Sequence, residues 1–223
     1  LEALKSLVND QLGNRNIPDH LRNAITVTLG FGTQKPDGGT RPTGFPQTLD
    51  KITGSCATFV ENQNIRDIKG ASERPTPKPY GDNQFGINTP RGCFLAAQAI
   101  QKNLHAHPDN SAAKFDAINA YNTTDRTQTQ SGYASEEVLR PNLYYHNFKN
   151  AQPSSILVPN PRFPNKVAII NYEVGSRRGE VRGAHDYSAA KKLAVQELKN
   201  EFPELTIVSI IDDLSSSICH LSS

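Results

Sequence analysis

Tryptophan and methionine are both absent from the 223 residues, residue 1 included, and aromatic side chains make up only 7% of the chain. No apolar run approaches the roughly 20 residues that cross a bilayer, and Leu1 opens a polar amphipathic stretch rather than a signal-peptide pattern. A soluble chain with no membrane partner is expected, cytoplasmic or secreted into a host cell. Cysteine is scarce: Cys56, Cys93 and Cys219 form no CxxC pair and no Cys/His cluster at zinc spacing. That excludes a disulfide framework and a structural metal, and leaves reduced thiols. An excess of either charge is missing too, since 24 Lys and Arg against 22 Asp and Glu give a net charge of +2. Without a dense Lys/Arg stripe interleaved with aromatics, nucleic acid is not an expected partner. His105 and His107 alternate as metal ligands can, but Pro108-Asp109-Asn110 reads as an exposed turn, so neither metal nor cofactor is assigned.

What is present suffices for one domain with insertions. Hydrophobic residues are 36% of the chain, with 15 Gly and 15 Pro, so the core concentrates in a few segments between loops. The spacing of Leu4, Leu7, Val8 and Leu12 makes 1–23 an N-terminal helical extension, and 24–223 an α/β domain with a Pro/Gly-rich insertion at about 70–90. Strands are expected at Ala24–Phe31, from Cys56 towards Ile65, at Lys114–Ala120, Ser155–Val158, Val167–Tyr172 and Leu205–Ile211. Helices are expected at Cys93–Leu104, from Ser135 to about Pro141, and at Ser188–Phe202; Gly32–Pro46 reads as a surface loop. Alternating strands and helices in the second half imply right-handed βαβ crossovers. The expected fold is therefore a three-layer α/β/α Rossmann-like sandwich with a mainly parallel sheet, whose ligands bind beyond the carboxyl ends of the strands.

Asp116–Asn122, DAINAYN, runs an apolar strand into paired asparagines that can donate to and accept from a ribose or an amide. This segment resembles the DAIVNAAN stretch of macrodomains, the ADP-ribose-binding modules. NIRDIK, from Asn64, resembles their upstream strand, and GAHDYSAAKKLAVQELKNEFPELTIVSIIDD their last helix and strand. SGYASEEVLRPNLYY resembles the poly(ADP-ribose) glycohydrolase branch. The resemblance implies ADP-ribose or an ADP-ribosylated protein as partner. It implies adenine recognition by Asp67, ribose contacts from Asn119 and Asn122, and diphosphate contacts around Gly175, Ser176, Gly179 and Gly183. Backbone N–H groups at a loop entering a helix suit a diphosphate in any case. Glu136 and Glu137 become candidates for the general acid of an ADP-ribosyl hydrolase, against a plain role in starting a helix. The loop and spacing around these glutamates depart from the macrodomain pattern.

Two other chemistries compete. Tyr187 and Lys191 stand at the Tyr-x-x-x-Lys spacing that stacks both on one helical face, which resembles short-chain dehydrogenases using a nicotinamide dinucleotide. Val174 stands where that family places a serine, and no glycine-rich dinucleotide turn follows an early strand. Cys93 opens the clearest helix, where the dipole lowers a thiol's pKa, and with His185 it outlines a cysteine hydrolase. A protein that only binds a partner is the remaining alternative.

Overall fold

A computed structural model describes residues 2–12, 17–71, 78–150, 152–160, 162–163, 165–176, 179–211 and 213–219. The α/β class is borne out, but the strands form two sheets with little parallel pairing. In the first, the order is β2 (Thr40–Pro46), β1 (Thr28–Gln34), β4 (Ser154–Pro159) and β5 (Val167–Tyr172). Only β1 and β4 run parallel; β1–β2 and β4–β5 are antiparallel. In the second sheet, β3 (Asn110–Asp116), β7 (Asp213–Cys219) and β6 (Thr206–Ile210) are antiparallel throughout. The mainly parallel Rossmann-like sandwich is thus corrected. The reason lies in the connections: β1–β2, β4–β5 and β6–β7 are joined by short turns, which antiparallel neighbours accept and parallel ones cannot.

Gly32–Pro46 is accordingly no surface loop. Gln34 pairs with Thr40, and Gly38 turns the chain at φ 83° between them, with Asp37 Oδ1 accepting from Gly39 N at 3.0 Å. The expected strand at Cys56 is equally overturned, because Cys56 lies inside α3 (Thr48–Ala71). Thr53, Ala57 and Glu61, four apart and fully buried, define the inward face of that helix. Its buried stripe is largely polar, so an apolar-periodicity test passes over it. Part of the Pro/Gly-rich insertion, 72–77, lies outside the described residues.

α1 (Glu2–Leu12) forms where expected and is followed by α2 (Asp19–Thr26), so β1 begins at Thr28 rather than Ala24. α4 (Gly92–Ala106) and α8 (Gly183–Glu201) match their amphipathic signals. Between them come the single turn α5 (Ala120–Thr123), α6 (Arg126–Ala134) and α7 (Arg140–Asn150). Asp125 caps α6, accepting from Thr127 N at 2.6 Å and Gln128 N at 3.2 Å. Pro141, expected to end a helix, stands instead in the first turn of α7, where its missing N–H costs nothing. The core gathers Tyr80, Ile87, Tyr133, Val138, Leu139 and Ala189. Among the described residues no helix is long and apolar enough to cross a membrane, and no group of three His, Cys, Asp or Glu could hold a metal.

Candidate functional site

β3 ends at Asp116, and its partner across the antiparallel pair is Asp213, the first residue of β7. Directly opposed residues share one face of a sheet with Cβ atoms about 4.5–5.5 Å apart, so two carboxylates meet at one end of this sheet. Lys114 sits two residues upstream, and its Nζ lies 3.1 Å from Asp213 Oδ1. The strand expected over Lys114–Ala120 stops at this point and is not buried: Phe115 and Ile118 are exposed. Among the described residues β3 has only β7 beside it, and Asn119, in the left-handed region at φ 53°, diverts the chain into α5.

That diversion builds a cavity of about 290 Å³. Asp116, Asn119, Tyr121 and Asn122 line one wall, and Lys35 and Arg41, from the β1–β2 hairpin, line the other. A second hollow, of about 400 Å³, lies over β1, β2, β4 and β5. It shares Pro42 and Asn122 with the first, and Ile156, Val158 and Ile170 give it an apolar floor. A cationic, carboxylate-bearing chamber therefore adjoins an apolar one.

The loop between β5 and α8 backs both. Gly175, at φ 71°, comes so close to α5 that a Cβ there would lie 2.4 Å from Tyr121 O, so glycine is needed on two counts. Ser176 N donates to Tyr121 O at 2.8 Å, and Arg126 Nε donates to Gly175 O at 3.3 Å. Ser176 Oγ in turn donates to Asp186 Oδ2 at 2.5 Å, and Tyr133 Oη donates to Asp186 Oδ1 at 2.6 Å. Burial alone would push the Asp186 carboxyl up. His146, with the hydrogen bonds from Ser176 and Tyr133, more than offsets this and holds it well below the usual carboxylate range.

Farther along, Arg182 is buried against α3. Its Nη2 donates to Glu61 Oε2 at 2.9 Å and to Tyr80 Oη at 3.1 Å, and its Nη1 donates to Thr58 Oγ1 at 3.0 Å. Glu61 also accepts from Asn142 Nδ2 at 2.7 Å. Lys149 of α7 lies between Asp50 Oδ2 at 3.2 Å and Glu180 Oε2 at 3.1 Å. The loop that stands behind the cavity is thus bolted to α3 and α7 by buried charges.

His185 follows in the same segment, edge-on to Tyr80 with ring centroids 5.7 Å apart. Burial first, and the positive charge of Arg182 second, lower its pKa from 6.5 to about 4. Above pH 6.5 the ring is neutral in both folded and unfolded chains. As pH falls, the unfolded chain takes up a proton that the folded one refuses, so stability declines until about pH 4. The decline amounts to about 3 kcal/mol. Urea midpoints at pH 7 and pH 4.5 measure it, and His185→Asn is expected to flatten that difference.

The residues expected to bind ADP-ribose divide among several places. Asn119 and Asn122 line the cavity, and Gly175 and Ser176 stand behind it. Gly179 lies against β2, where a Cβ would come within 2.2 Å of Gly44 O, and Gly183 opens α8. Asp67 is exposed on α3, which replaces the strand of the resemblance. Glu136 is bound by Lys192 Nζ at 2.6 Å, while Glu137 reaches Arg140 at 3.5 Å in a single 3₁₀ turn, Glu137–Leu139. Lys191 Nζ lies 5.0 Å from the centre of the Tyr187 ring but donates to Ser209 Oγ and Ile211 O. Cys93 is exposed and lines a hollow between α4 and the second sheet, whereas His185 packs on Tyr80.

No family model matches the sequence, and no curated protein matches it. Solved structures do. The chain is similar to telomerase from Candida albicans in complex with a TWJ fragment of telomeric RNA, with TM-score 0.60 and 10% identity, over 97% of this chain and 42% of that one. Candida tropicalis telomerase in complex with a TWJ fragment of telomeric RNA gives TM-score 0.60 at 10% identity, over 89% of this chain and 37% of that one. Its apo form truncated from the C-terminal domain gives 0.57 at 10%, over 89% and 44%. The chain spans less than half the length of those telomerase chains. At such identities the likeness establishes the fold alone.

The macrodomain resemblance, with its ADP-ribose ligand and ADP-ribosyl hydrolase activity, is thereby overturned, and the dehydrogenase and cysteine-hydrolase alternatives go with it. The segments that suggested a macrodomain are short, and one of them, NIRDIK, is helical. The exclusion of nucleic acid is corrected as well: two of the similar structures are RNA complexes. Net charge does not show where cations gather: Lys35 and Arg41 are brought to one cavity by a hairpin rather than by a run in sequence. Asp213, Lys35 and Arg41 escaped the sequence reading. An apolar strand running into Asp212-Asp213, as Phe115 runs into Asp116, was the available signal.

Proposed function

We propose that this chain handles RNA and carries the nucleotide site of an RNA-templated nucleotidyl transferase, the chemistry of a reverse transcriptase. The observation that carries the reading is the register of β3 and β7, which opposes Asp116 and Asp213 beside a chamber faced by Lys35 and Arg41. Likeness to telomerase chains in RNA complexes supports it.

The chamber suits a nucleoside triphosphate in size and charge. Lys35 and Arg41 would hold the phosphates, Arg41 through paired donors that match phosphate geometry. Tyr121 offers a ring wall for the sugar or base, and the adjoining apolar hollow can take an unpaired base. The donor set at Asp116 and Asp213 is hard, carboxylate and open to phosphate, which suits Mg²⁺. Held by those two residues, the ion would neutralise charge developing on the transferred phosphoryl group. Lys114 balances the paired carboxylates when no cation is bound.

Titration with a fluorescent nucleoside triphosphate in Mn²⁺, followed by extension of a primed RNA template, tests this. Micromolar binding is expected, weakened about tenfold by Lys35→Ala or Arg41→Ala, as befits loss of one charge-assisted contact. A chain that binds neither the triphosphate nor the primed RNA would sink the proposal.

A further inference from the structure

The hairpin that carries Asp213 turns on a residue poorly suited to its backbone. Ile210, the last residue of β6, pairs with Asp213, and Ile211, which opens the connection between them, stands at φ 56°. Two-residue hairpin turns need positive φ at their first central position, where glycine or asparagine is usual and a branched side chain is crowded. Something must therefore hold Ile211.

Two side chains from outside the hairpin do so. Gln84 Oε1 accepts from Ile211 N at 3.0 Å, and Lys191 Nζ donates to Ile211 O at 2.5 Å. Gln84 is itself fixed: its Oε1 also accepts from Gly86 N at 2.8 Å, and its Nε2 donates to Ser188 Oγ at 2.9 Å and Ser209 Oγ at 3.2 Å. Around it the backbone joins β6, with Ser209 N donating to Asn83 O and Phe85 N to Ser209 O, both at 2.8 Å. Gly86 approaches so closely that a Cβ would lie 2.7 Å from Ile211 N. Lys191 also donates to Ser209 Oγ, at 2.5 Å. Both peptide groups of the strained residue are thus gripped, one by the segment before α4 and the other by α8.

We propose that Gln84 and Lys191 are positioning residues that clamp the β6–β7 turn in its left-handed form and so keep Asp213 in register with Asp116. The role rests on the reading of that aspartate pair as a cation-holding centre. It also gives Lys191 a task unrelated to its Tyr-x-x-x-Lys spacing.

The test uses Mn²⁺ binding followed by electron paramagnetic resonance, amide hydrogen exchange at Ile211, and primer extension, on the unsubstituted chain and on Gln84→Ala, Gln84→Glu, Lys191→Met and Lys191→Arg. Gln84→Ala and Lys191→Met are each expected to weaken Mn²⁺ binding about 10- to 100-fold, the usual effect of losing a group that orients a metal ligand. In Gln84→Ala the Ile211 amide exchanges faster, and kcat falls while KM for the triphosphate holds. Gln84→Glu keeps the acceptor and is expected to keep the amide protected; Lys191→Arg restores most of the Mn²⁺ affinity. Lys191→Met keeps the stem beside Tyr187 and so tests the clamp in a folded chain. Mn²⁺ affinity unchanged in Gln84→Ala and Lys191→Met overturns the positioning role alone. No Mn²⁺ binding by the unsubstituted chain overturns the catalytic reading, and the role with it.

Discussion

Arg182→Met is expected to lower the stability of the chain by about 3–5 kcal/mol, read as a fall in the urea midpoint at constant slope. The guanidinium is 2% exposed and Glu61 is 0% exposed, so the substitution strands a carboxylate that no water reaches. Burial disfavours a charge on Arg182, but Tyr80, Tyr133 and Glu61 outweigh it and hold the pKa well above its ordinary value. Removing one partner of such a pair costs far more than removing both, because the penalty is the orphaned charge rather than the lost attraction. The double variant Glu61→Leu with Arg182→Met is therefore expected to recover much of the loss, and a coupling within about 0.5 kcal/mol of zero would refute this account of the pair. Domains of this kind are stable by about 5–15 kcal/mol, so the single variant is left marginal. Its first functional consequence follows from position: Arg182 ends the loop whose Gly175 and Ser176 back Tyr121 and Asn122.

The same burial explains where the sequence was legible. α4 and α8 could be read because Ile100 and Leu104, or Ala189 and Leu193, recur at helical spacing against apolar neighbours. α3 could not, because Thr53, Ala57 and Glu61 form a stripe that is largely polar, and Glu61 is satisfied by Arg182, Tyr80, Asn88 and Asn142, residues remote in sequence. Strands β4, β5 and β6 were visible as apolar runs, but their direction was not. Direction depends on connections: Asp37-Gly38 makes a tight hairpin, and the close of β6 at Ile211 makes another. For the site, Asp116–Asn122 and the loop from Gly175 stood out in the sequence and do lie together. The chemistry did not stand out, because Asp116 gains its meaning from Asp213 only through cross-strand register.

Asp116→Asn separates that chemistry from mere binding. The substitution keeps the shape of the side chain and removes its charge at an exposed strand end. Stability should therefore change by no more than about 0.5 kcal/mol, with relief of repulsion towards Asp213 as a small gain. Primer extension, by contrast, is expected to fall by at least a hundredfold to a thousandfold, roughly the effect of deleting one group that stabilises charge in a transition state. Asp213→Asn should cost extension too, and it frees Lys114, so its loss should vary more with salt. Asn119→Gly is the control: it keeps the left-handed backbone at φ 53° and alters the wall of the same cavity without touching either carboxylate, so it should raise KM for the triphosphate and leave kcat within a few-fold. Single-nucleotide incorporation measured for all three decides the matter. If Asp116→Asn retained extension within a few-fold of the unsubstituted chain, the cavity could still bind a nucleotide, but the carboxylate pair would have no part in its transfer. Equal effects from Asp116→Asn and Asn119→Gly, confined to KM, would reduce the site to a binding pocket.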